Sequence, residues 1–116
     1  MKKIFRVKKN EDFQFILKSS EYFVNRQFVV YYIFDEGNDN NHFKCGISVG
    51  KKLGHAVIRN RIKRKIRVSI QKYKNQIPTN IRMVIIARKG CLNIPHEQFE
   101  NGLHHLLVNA KIIGRT

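Results

Sequence analysis

The segment KKLGHAVIRNRIKRKIRVSI, residues 51–70, constrains this chain more than any other. It carries eight Lys or Arg and no acid, and isoleucines stand at 58, 62, 66 and 70. A helix turns about 100° per residue, so apolar residues four apart share one side of it. Ile58, Ile62, Ile66 and Ile70 make a stripe that Tyr73 joins. Arg59, Lys63 and Arg67 flank it, and Asn60, Arg61 and Arg64 cover the far side. The spacing predicts a helix over about 56–74, ending before Pro78. Its stripe must enter a core while a wide cationic face stays outside. The i,i+4 pairs Arg59/Lys63, Lys63/Arg67 and Arg61/Lys65 repel one another, whereas ordinary solvated faces mix signs. A polyanionic partner is therefore expected.

The rest of the chain supplies a small sheet. Asn10 suits an N-cap, and Glu11 and Asp12 suit the start of a helix over about 10–19, with Phe13, Ile16 and Leu17 as its stripe. QFVVYYIF, 27–34, is β-branched and aromatic and reads as a strand apolar on both faces. DEGNDNN is a loop. FKCGISV, 43–49, alternates cleanly: Phe43, Cys45, Ile47 and Val49 face one way, Lys44, Gly46 and Ser48 the other. These two strands are expected to pair as a hairpin. Val29, Tyr31 and Ile33 would then lie beside Lys44, Gly46 and Ser48 as a shallow, mixed surface. RMVIIA, 82–87, is a third strand, and strand–helix–strand succession suggests a parallel βαβ unit. Pro95 opens a last helix with Phe99, Leu103, Leu106, Leu107 and Ala110 inward. The expected class is α+β, in the order α-β-β-α-β-α: a two-layer sandwich with helices on a small sheet.

Length favours a single domain over residues 1–116, and 42% apolar residues suffice for one core. The charge is lopsided: 23 Lys and Arg oppose 8 Asp and Glu, a formal +15. Between Asp39 and Glu97 lie fourteen Lys or Arg and no acid, so neutralisation has to come from outside. Nucleic acid leads, ahead of an anionic membrane. Cys45 and Cys91 form no CxxC pair and sit among apolar residues as buried, reduced thiols. With no signal-type apolar segment at MKKIFRVKKN, a cytoplasmic location is expected. The histidines show no metal-ligand spacing: His42 and His55 fall in loops, and His104 and His105 are helix neighbours.

GISVGKKLGHAVIRNRIKRKIR resembles the signature of the bacterial ribonuclease P protein subunit. The matching positions are Lys52, Gly54, Ala56, Val57, Arg59, Asn60, Lys63, Arg64 and Arg67, with RNRIKR as the arginine-rich core. KKNEDF (8–13), NRQFVVY (25–31), IIAR (85–88) and LHHLL (103–107) are further landmarks in the expected order.

The resemblance implies a ribosomal-protein-like fold with a left-handed βαβ crossover. It also implies a protein that serves a catalytic RNA, which holds the Mg2+ ions and removes the 5′ leader of precursor tRNA. No side chain of this chain is expected to be catalytic or to bind metal. Lys51, Lys52, Arg59, Asn60, Arg61, Lys63, Arg64 and Arg67 would dock on the ribonuclease P RNA. Phe13, Leu17, Val29, Tyr31, Lys44 and Ser48 would line a cleft for the single-stranded leader, with neither membrane nor DNA as partner. A ribosomal protein would share the size and charge but has no need of an aromatic cleft beside the basic helix. A DNA regulator of the helix-turn-helix kind would need a helix just ahead of residue 56, and none is expected there.

Overall fold

A computed structural model describes residues 21–34 and 43–114. The expected helix over 10–19, the 35–41 loop, and Phe13 and Leu17 lie outside the described residues. Four strands, β1 (Glu21–Val24), β2 (Phe28–Phe34), β3 (Lys44–Ser48) and β4 (Ile81–Ala87), form one sheet in the order β1-β2-β4-β3. Helix α1 spans Ala56–Lys72 and α2 spans His96–Asn109. The expected α+β class holds.

The hairpin expected between β2 and β3 does not form. β4 lies between them, antiparallel to β2 and parallel to β3. Burial explains the order. Five of the seven residues of IRMVIIA are buried, on both faces, so this strand belongs in the middle. The β3 residues Lys44 and Ser48 keep partial exposure, which an edge position permits. The parallel β3–α1–β4 unit is present as expected. β2 instead pairs in a hairpin with β1, a four-residue strand absent from the sequence reading.

Asn25 fixes that hairpin. Its Oδ1 accepts hydrogen bonds from the Gln27 and Phe28 amides at 3.0 and 2.8 Å. Its Nδ2 donates to the Gly102 carbonyl on α2 at 2.8 Å, and its own carbonyl accepts from Arg88 Nη1 at 2.6 Å. One residue thus ties the turn to α2 and to the end of β4.

Both helices bury their stripes in one core with Phe28, Val30, Tyr32, Cys45, Met83 and Ile85, which share one face of the sheet. From α1 come Ile62, Ile66 and Ile70; from α2 come Phe99, Leu103, Leu106 and Leu107. Phe28 and Phe99 meet edge to face, 5.0 Å between centroids. Ala110 is buried as expected, and Ile112 and Ile113 extend the core past the helix end. Cys45 and Cys91 are buried free thiols. Burial pushes the Cys45 thiol up to about 12.

Ile58 departs from the expected stripe: it is 39% exposed. Residues four apart advance about 40° around a helix, so Ile58 and Ile70 differ by about 120°. No single core face spans that arc, and the stripe centres on Ile66. Ile58 instead covers Gly54, whose φ of 141° suits glycine and where a Cβ would sit 3.0 Å from the Ile58 side chain.

Candidate nucleic-acid interface

The packing of α1 divides its cations into two groups. Lys65 Nζ stands 4.2 Å over the Phe99 ring, and Lys72 pairs with Glu100, which also meets His96 Nε2 at 3.5 Å. The Lys72 hydrogen bond holds the Glu100 carboxyl below its ordinary range. Those two cations face α2. On the helical wheel, Arg59, Lys63, Arg67, Asn60 and Arg64 run from the core line outward over about 140°, and Arg61 lies about 60° further on, next to Lys72 and Lys65. Asn60, Arg61 and Arg64 are exposed; Arg59, Lys63 and Arg67 are half-buried. Arg59 Nε is buried and finds no hydrogen-bond partner. Val57 and Val68 share the outward arc with Arg61 and Arg64 and are 70% and 48% exposed.

Lys51 and Lys52 lead into this face. They lie exposed in a short 3-10 turn, Lys51–Leu53, anchored by buried Leu53. His55 is the N-cap of α1 and makes no side-chain capping bond, and the first turn has no acid. The amides that open α1 therefore add a positive dipole end beside two lysines.

The second surface is the sheet face turned away from the core. Register places three rows across it: Val24, Val29, Ile86, Ser48; then Tyr22, Tyr31, Val84, Gly46; then Ile33, Arg82, Lys44. The expected neighbours thus do share a face, although β4 separates them. The face is not uniformly open. Val84 is fully buried with Tyr31, Ile33 and Ile86 packed around it, and Gly46 is buried as well. Val29, Tyr31, Lys44 and Ser48 are half-buried, and Tyr22 is 59% exposed. Its ring lies 5.4 Å from that of Tyr31, tilted by 34°. Tyr22 and Arg82 were not among the residues expected here. Both follow from register once β1 and the central place of β4 are known.

The two predicted surfaces are separate. Tyr31 and α1 lie on opposite sides of the sheet. His104 packs its ring 5.2 Å from Tyr73, and His105 lies within 3.3 Å of Asn109 Nδ2. These contacts leave the adjacent imidazoles with different surroundings. Among the described residues no three His, Cys, Asp or Glu side chains converge on a metal position. None of the described helices is long and apolar enough to cross a membrane.

A family model described as Ribonuclease P matches residues 1–111. The ribonuclease P protein component of Streptococcus pneumoniae is 47% identical over 112 residues, covering 97% of this chain and 89% of that protein. That of Listeria welshimeri is 45% identical over 113 residues, with 97% and 93% covered. Among solved structures, a Staphylococcus aureus RNase P protein superposes with a TM-score of 0.86 at 44% identity, over 95% of this chain and 98% of that one. The Thermotoga maritima RNase P protein gives 0.79 at 28% identity, over 90% and 96%.

Proposed function

This chain belongs to the ribonuclease P protein family, and from that premise we propose that it binds the catalytic RNA of ribonuclease P through α1. We propose too that it guides the 5′ leader of precursor tRNA across the second sheet face, within one RNA-binding domain acting in the cytoplasm. The observation that carries the docking role is the division of cations on α1. Lys65 and Lys72 are engaged with α2, while Arg59, Lys63 and Arg64 stand away from it with no acid beside them in sequence, and Arg61 borders Lys65 and Lys72 at the rim of this arc. Arginine forks grip phosphate oxygens bidentately, and Asn60 can reach a sugar hydroxyl or base edge. A phosphate brought to this arc relieves the i,i+4 repulsion.

The leader role is supported by the second face. Single strands are held by aromatic rings that stack on bases and by cations that track the phosphates. Tyr31 supplies the ring, Lys44 the charge, Ser48 a hydroxyl and Val29 an apolar flank. Phe13 and Leu17, outside the described residues, complete the proposed cleft. Because the two surfaces occupy opposite sides of the sheet, both RNAs can be held at once.

Under this reading the RNA holds the Mg2+ ions that activate water for phosphodiester hydrolysis, and the protein contributes no reacting group. Its part is to screen repulsion between two polyanions and to fix the leader in place. The test is binding of purified ribonuclease P RNA over a range of salt. Log affinity should fall linearly with log salt, and Arg64→Ala should weaken binding and lower the slope by about one ion. A slope and affinity unchanged in the variant would remove α1 from the interface.

A further inference from the structure

Strand β1 has no pairing partner on its outer side among the described residues, and all four of its residues are exposed. Two are large apolar side chains on the second sheet face, Tyr22 at 59% and Val24 at 51% exposed. Solvent exposure of this much aromatic surface on a short edge strand is not explained by core packing. Register explains the placement: Tyr22 is the direct cross-strand partner of Tyr31, and Val24 of Val29. The row Tyr22–Tyr31 therefore continues the proposed leader surface by one strand, about 5 Å further from the basic β3 edge.

The ring geometry limits what this pair can hold. A base sandwiched between two rings needs about 7 Å, two stacking intervals of roughly 3.4 Å. The centroids are 5.4 Å apart and tilted by 34°, so the rings rest against each other and leave no slot. What remains accessible is the outward surface of both. The occupant must be flat, apolar on its faces and tethered to negative charge, since Lys44 and Arg82 stand together in the adjacent row. A single-stranded nucleotide run meets all three conditions.

Resting on the leader-binding reading above, we propose that Tyr22 and Tyr31 form one two-ring platform, and that Tyr22 stacks a leader base beyond the base held at Tyr31. Tyr22 is then a specificity-determining residue: it sets how long a leader the protein can use, through a base's face and not its hydrogen-bonding edge.

The experiment measures affinity of the assembled holoenzyme for precursor tRNAs whose leaders grow one nucleotide at a time, with wild type, Tyr22→Ala, Tyr22→Phe and Tyr31→Ala. Wild-type affinity should rise in two steps. Tyr22→Ala should abolish the later step, a loss of about fivefold or more on long leaders, and leave short leaders unaffected. Tyr22→Phe keeps the ring and should behave as wild type. An abasic nucleotide at the leader position of the later step should reproduce the Tyr22→Ala loss in wild type and add nothing in the variant. If Tyr31→Ala weakens leader binding while Tyr22→Ala matches wild type at every length, the platform is wrong and the cleft stands. Equal loss from Tyr22→Ala on short and long leaders would reduce Tyr22 to orienting Tyr31, which also overturns the proposal. If Tyr31→Ala has no effect on any leader, the cleft assignment itself fails. Thermal melts verify that the exposed Tyr22 can be replaced without loss of fold.

Discussion

Asn25 accepts hydrogen bonds from two backbone amides and donates to a helix carbonyl, so truncating it leaves the two amides without this acceptor and removes the tie to α2. A net hydrogen bond contributes about 0.5–1.5 kcal/mol. Asn25→Ala should therefore lower the unfolding free energy by about 2 kcal/mol in urea titrations; a change below about 0.5 kcal/mol would contradict the role given to it. At this scale the sequence was informative about charge and poor about partners. Lys65, which is not among the basic residues expected to meet RNA, stands over the Phe99 ring. A helical wheel alone does not say which flank meets a second helix. Tyr22 and Arg82 were missed for a related reason. Their neighbours lie across strands, and cross-strand register is not written in local spacing.

The elements were legible wherever one apolar period ran long enough. α1 was expected over 56–74 and spans 56–72; the last helix was expected to open at Pro95, which is its N-cap. The slow rotation of the isoleucines gives a direct test. Ile66→Ala empties a fully buried position and should cost about 2–5 kcal/mol. Ile58→Ala, about two turns earlier and rotated out of the buried stripe, should cost less than about 1.5 kcal/mol because its site is 39% open. Equal losses in chemical denaturation would place both in the core and contradict the packing. Pairing order was the part that sequence reading misjudged. Chain neighbours β2 and β3 were expected to pair, yet β4 separates them. The information was present in another form: a strand apolar on both faces belongs inside a sheet, and one with a lysine–glycine–serine face belongs at its edge. β1 escaped because four exposed residues carry no periodic signal.

Across the whole molecule, a formal charge of +15 means that folding gathers like charges which water and salt only partly screen. Between described residues the ion pairs are those of Glu100 with Lys72 and His96, and eight acids can neutralise only part of the 23 Lys and Arg. Polyanions that bind the folded chain should therefore raise its melting temperature. At a hundred times its dissociation constant such a ligand adds about 2.7 kcal/mol, or on the order of 10 °C for a domain this size. Polyphosphate should produce that rise where sodium chloride of equal ionic strength does not; equal effects would mean general screening without a site. The same imbalance links fold to function. A small core carries two surfaces on opposite sides of one sheet, one cationic and one aromatic, which the proposed function assigns to two RNAs. The most direct measurement is cleavage of precursor tRNA at low Mg2+ by this protein mixed with a bacterial ribonuclease P RNA. The mixture should release the leader far faster than the RNA alone, and the protein alone should release none. Cleavage by the protein alone, or no stimulation of the RNA, would contradict the account.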